Sequence, residues 1–97
     1  MSKLDKLIHQ PTRLKIMSVL VSLEKDEQMD FTCLKKMLKV TDGNLGAHLG
    51  KLEEAEYIYI EKTFIERKPK SFICITDKGR RAFNRHVSEL EKIIGSG

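Results

Sequence analysis

Asn44, His48 and Lys51 follow one another at intervals of four and three residues, the spacing that sets side chains on one face of a helix. An amide, an imidazole and an ammonium on one face suit a nucleic-acid duplex. Asn pairs with an adenine edge, Lys meets a phosphate, and His reaches either a base or a phosphate. Thr41 and Asp42 stand just ahead of them, and Gly43 and Ala47 share their side. Thr41 and the exposed N–H groups behind it can hold a phosphate, or Thr41 can simply cap the helix. Asp42 suits the positive end of the helix dipole, and it opposes phosphates unless it accepts from a cytosine amino group. A second set is cationic. Lys62, Arg67, Lys68 and Lys70 face only Glu66, a local balance of +3, whereas Glu24 to Asp30 sets four acids against Lys25, a balance of −3. Arg67 is the residue suited to a narrow minor groove, Lys68 and Lys70 suit phosphates, and Lys62 adds to the DNA-facing charge. An ordinary solvated face is the plainer reading of such a charge run.

These groups need elements to hold them. Leu45, Leu49 and Leu52 fall at i, i+4 and i+7, so a helix over 41–55 must turn them to the core and leave the opposite side open. Gly43, Gly46 and Gly50 each weaken such a helix by roughly 0.5–1 kcal/mol. Small residues let a helix approach a base edge or phosphate, or let it pack closely on another helix. The first suits Gly43 and Gly46, the second Gly50. Residues 57–63 and 71–76 are rich in β-formers. The charged loop 62–70 between them makes a hairpin tip, with Pro69 in the connection, where it disturbs no ladder.

Further elements complete one domain over 1–97. A short helix over 2–8 carries Leu4, Leu7 and Ile8, and a mostly apolar helix opening at Pro11 belongs in the centre. Met29-Asp30-Phe31 suits a very short strand. Thr32 is a candidate cap for a third helix that turns Leu34, Met37 and Leu38 inward. A final helix over 77–94 sets Phe83, Val87, Leu90 and Ile94 in an a/d-type stripe. That stripe with Leu4, Leu7 and Ile8 exceeds what one small core can take up, and a two-fold seam built from both termini would bury it. The fold class expected is mainly α with a small antiparallel hairpin, in the order α-α-(β)-α-α-β-β-α.

Composition bounds the function. The chain has 97 residues, 33% of them charged, and a net charge of +4. No apolar run approaches the roughly 20 residues of a membrane span, and the start lacks the apolar core of a secretory signal. A cytoplasmic location is expected. Cys33 and Cys74 read as two small buried or half-buried hydrophobes, or as redox-sensitive thiols. His9, His48 and His86 lack metal-ligand spacing. There is no nucleophile elbow, P-loop, HExxH or dinucleotide turn, so neither an enzyme nor a cofactor is expected.

In its order of elements, and in Pro11-Thr12-Arg13-Leu14-Lys15-Ile16, Thr41-Asp42-Gly43-Asn44-Leu45, His48-Leu49 with Leu52-Glu53, Arg67-Lys68-Pro69 and Ile75-Thr76-Asp77-Lys78-Gly79-Arg80, the chain resembles the small winged helix-turn-helix transcriptional regulators related to the MarR and ArsR groups. The resemblance spans nearly the full length. It implies homodimers on short palindromic double-stranded DNA operators, with terminal helices building the dimer. Members usually carry Gly before the aromatic that opens the wing. Glu56 stands there, and a left-handed cap would strain Glu by about 1 kcal/mol, so a different helix ending is expected. The cysteine-rich motif of metal-sensing members is absent. The expected function is a homodimeric, sequence-specific repressor that reads the major groove with helix 41–55 and the flanking backbone or minor groove with wing 62–70. A winged-helix protein-interaction module with weak or no DNA binding is the alternative, and any small-molecule effector is open.

Overall fold

The computed structural model describes residues 5–24 and 27–95. Five helices and a three-stranded antiparallel sheet follow in the expected order: α1 (Lys6–His9), α2 (Pro11–Ser22), β1 (Met29–Asp30), α3 (Phe31–Leu38), α4 (Asp42–Glu54), β2 (Ile58–Ile65), β3 (Lys68–Ile75) and α5 (Asp77–Gly95). The expectation for Leu4 lies outside the described residues.

Helix α2 is central, touching α1, α3, α4, α5 and β3. Pro11 occupies its first turn, and the Gln10 side chain accepts from the Arg13 amide at 2.8 Å. Its Ile16, Met17 and Leu20 meet Leu34 of α3 and Leu45, Leu49 and Leu52 of α4 in a core closed by Ile58, Ile73 and Ala82. Ile8 is also fully buried there. The chain's own core consumes it, so it is unavailable to a second copy. Helix α3 is capped by Asp30, whose carboxylate accepts from the Thr32 amide at 2.9 Å, and Thr32 itself is exposed. The cap therefore falls two residues earlier than the sequence pattern suggests, and Met37 is turned outward.

The sheet order is β1-β3-β2. The hairpin is longer and tighter than expected, with Ile65 opposite Lys68 and only Glu66-Arg67 between them. Both turn residues have positive φ, 53° and 66°, as a two-residue type I′ turn requires. Pro69 accordingly lies inside β3, opposite Phe64, and not in the connection. In this register the Phe64–Pro69 pair is non-hydrogen-bonded, so the proline nitrogen faces away from β2 and its missing N–H breaks no bond of that ladder.

Helix α4 does end left-handed. Glu56 has φ 63°, with Tyr57 N donating to Leu52 O at 3.0 Å and Glu56 N to Glu53 O at 2.9 Å. That is the paired ending usually closed by glycine. Thr76 offsets the strain by donating its hydroxyl to Glu56 O at 2.7 Å and its amide to Tyr57 O at 3.0 Å. The same hydroxyl accepts from Gly79 N at 2.9 Å, capping α5. A Cβ on Gly79 would lie 2.1 Å from Tyr57 O, so only glycine lets α5 start this close to the wing's root.

On α5 the residues turned to the core are Gly79, Ala82 and His86. Phe83, Val87 and Leu90 are half-buried and Ile94 is 77% exposed. The a/d stripe thus lies at the edge of the core with its far end outside it. Cys74 is buried, whereas Cys33 is exposed, contrary to the expectation for it.

Candidate nucleic-acid interface

Thr41 Oγ1 accepts from Asn44 N at 3.1 Å and starts α4. With Leu45, Leu49 and Leu52 inward, Gly43, Gly46, Ala47 and Gly50 fall within about 100° of one another on the opposite side. A Cβ built on Gly43, Gly46 or Gly50 meets nothing within 4 Å. No internal contact explains these glycines, so the helix-packing reading of Gly50 does not hold within the described chain. Thr41, Asp42, Asn44, Ala47 and Lys51 are exposed along or beside this smooth strip. Lys35 of α3 holds the Asp42 carboxylate at 2.7 Å. The pair bridges α3 and α4 at the surface, and the neighbouring cation offsets the acid's charge.

His48 is half-buried beside Asn44 and Lys51. Its Nδ1 lies 3.1 Å from Nη1 of Arg13, whose Nε donates to Leu7 O at 2.6 Å. Burial chiefly, and then the Arg13 and Lys51 charges, hold the imidazole below its ordinary pKa. The sequence pattern alone assigns Arg13 no role. Its place one turn into α2, after a proline-fixed start, was legible, but the bridge to a residue 35 positions away was not.

The wing extends from the body, and the molecule spans 54 × 26 × 21 Å. Lys62, Arg67 and Lys68 are exposed on it. Lys70 differs, being half-buried with Nζ 3.4 Å from Asp30 Oδ2. Phe64 is 73% exposed beside these cations, an apolar presence the charge pattern did not announce.

At the wing's root, the Tyr57 hydroxyl donates to Asp5 Oδ2 at 2.7 Å. Burial, helped by that bond, pushes the phenol up to about 12. Asp5 Oδ1 caps α1, and Asp5 N donates to Nδ1 of His86 at 3.2 Å. His86 is buried, with Nε2 unpartnered among the described residues and the His9 ring 5.4 Å away. Burial and then the His9 charge lower its pKa, with Asp5 opposing. Among the described residues no group of three or more His, Cys, Asp or Glu could hold a metal, and no helix is long and apolar enough to cross a membrane.

Residues 12–94 match the winged helix DNA-binding domain family. The chain belongs to this family. An uncharacterized protein of Methanocaldococcus jannaschii is 41% identical to this winged helix domain over 85 residues, 88% of this chain and 89% of the relative. A transcriptional regulator homologue from Pyrococcus horikoshii has a similar structure, at 30% identity and TM-score 0.83 over 93% of this chain and 86% of the other. MepR of Staphylococcus aureus in complex with DNA shares the fold at 16% identity and TM-score 0.75, over 94% and 72%.

Proposed function

We propose that the protein is a sequence-specific regulator of transcription that binds double-stranded DNA as a homodimer and represses by occupying a palindromic operator in the cytoplasm. The carrying observation is the outward side of α4, where three glycines without internal justification line a smooth strip flanked by Asn44, His48 and Lys51. A helix face so bare fits the major groove, with Asn44 suited to a base edge and Lys51 to a phosphate. Thr41, Asp42 and Gly43 lie at the helix end that enters first, and Ala47 lies one turn further along the same side. Arg67, Lys68 and Lys62 suit the flanking backbone or minor groove, and Lys70 joins them only by leaving Asp30. The second copy docks through Leu7, Phe83, Val87, Leu90 and Ile94, which the chain leaves partly or largely uncovered. Two-fold symmetry then places half-sites about 10 bp apart. The description of the Pyrococcus horikoshii structure as a transcriptional regulator homologue, and the MepR complex with DNA, support this reading.

Gly46→Ala tests it. The new methyl meets no atom of the chain and removes backbone freedom from the unfolded state, so stability should rise by about 0.5–1 kcal/mol. Binding to duplexes selected from a random pool should nevertheless weaken, and Gly46→Leu should weaken it further. Unchanged affinity in both variants, measured by fluorescence anisotropy, would remove α4 from the groove.

A further inference from the structure

An arginine guanidinium only donates hydrogen bonds, and it keeps its proton at any pH a protein meets. The contact between Arg13 Nη1 and His48 Nδ1, at 3.1 Å, therefore has one reading. Nδ1 accepts, and the single proton of the neutral imidazole sits on Nε2. Arg13 is itself fixed, because its Nε donates to Leu7 O at 2.6 Å and its own amide donates to Gln10 Oε1 at 2.8 Å. Nε2 has no partner among the described residues, and the ring keeps partial exposure between Asn44 and Lys51 on the open side of α4. The charged groups acting on the ring are Arg13 from α2 and Lys51 from α4 itself, and both disfavour the imidazolium.

We propose that Arg13 is a positioning residue that fixes His48 as the Nε2–H tautomer, so that α4 presents an obligate hydrogen-bond donor to acceptor atoms on a major-groove base edge. Guanine suits it best, because N7 and O6 lie side by side there, whereas the cytosine amino group offers only a donor and is rejected. Without Arg13 the imidazole can carry its proton on either nitrogen and loses this discrimination. The inference rests on the DNA-binding reading above and adds to it what His48 recognises and which residue outside α4 sets that choice.

The test uses the full chain labelled with 15N and an operator selected from random duplexes. Long-range proton–nitrogen correlation at neutral pH should show His48 protonated on Nε2 in the wild type, a mixture of tautomers in Arg13→Met, and recovery in Arg13→Lys, which restores a donor. Replacing the operator guanine facing His48 with 7-deazaguanine should weaken wild-type binding about 3- to 10-fold, the range of one lost hydrogen bond, and the wild-type preference for guanine over cytosine at that position should narrow in Arg13→Met, whose Nε2 can accept as well as donate. The His48 pKa should also rise in Arg13→Met, toward its ordinary value. A wild-type imidazole protonated on Nδ1 overturns the proposal even if Arg13→Met fails to fold. A loss confined to operators whose phosphates are neutralised as methylphosphonates overturns base reading. If the wild type binds no duplex, both this inference and the DNA-binding reading fall. If it binds with no response to 7-deazaguanine, this one falls alone.

Discussion

At the root of the wing, Tyr57 bonds to Asp5, carries the Lys78 ammonium 5.9 Å from its ring centre, and leaves no room for a side chain on Gly79. Seven residues along the same stretch of chain, Phe64 is 73% exposed among cations. The root ties three helices together through α1, since Asp5 reaches both Tyr57 and His86 while Leu7 O receives Arg13. Among the described residues the tip is held by its ladder and a two-residue turn. The difference teaches a division of labour. Substitutions at the root should act on folding first, and substitutions at the tip should act on binding with little effect on folding.

The largest expected effect breaks the root. Gly79→Ala forces a methyl against the Tyr57 carbonyl, and the resulting shift of α5 should destabilise the domain by about 3 kcal/mol or more. Chemical denaturation measures it, and a loss under about 1 kcal/mol would show that α5 can slide away from the root freely. Next, Lys68→Ala at the tip should lower the slope of log affinity against log salt by about one unit. Its unfolding midpoint should stay within about 0.5 kcal/mol of wild type. An unchanged slope removes Lys68 from phosphate contact. A large stability loss would mean that the tip is tied down as the root is.

The acid sensitivity of the root comes third. The pKa of His86 is lowered in the fold from its usual 6.5, so just below that pH the unfolded chain binds more protons than the folded one. Stability is therefore complete above about pH 6.5 and falls as the pH drops from there toward the lowered value. Melting temperatures from about pH 7.5 to 5.5 should decline in the wild type. His86→Phe should flatten that decline, leaving the part due to His48, which is lowered in the same sense. An identical decline in the variant would place the sensitivity elsewhere. The smallest effect sharpens the contrast between a left-handed residue at the root and one at the tip. Glu56→Gly at the root and Arg67→Gly at the tip should each relieve strain of about 1 kcal/mol. Only Arg67→Gly should reduce DNA affinity.

Leu45, Leu49 and Leu52 made α4 legible, because a single face of one helix is written at fixed intervals along the chain. The hairpin was legible as two β-rich runs, but its turn was not. A two-residue turn normally announces itself with Asn or Gly, and here Glu66-Arg67 adopts positive φ without either. Glu56 misled for the same reason, since the support from Thr76 that offsets its strain comes from 20 residues away. Arg13, His86 and Asp5 gained their roles through contacts spanning 35 to 81 positions, and local periodicity carries no record of such partners. The glycines of α4 were conspicuous from the start. What they face inside the molecule, which is open space, needed coordinates.

Pro69 has one more consequence. Strand β1 covers β3 only at Phe72 and Ile73, so the outer edge of β3 from Lys68 to Ser71 has no neighbouring strand among the described residues. An uncovered margin of this kind invites another polypeptide to add itself by backbone pairing. The proline ring puts carbon where the invading chain would need a donor, and Lys68 and Lys70 on either side repel a second copy. The protruding arm can thus stay long and unshielded without seeding aggregates.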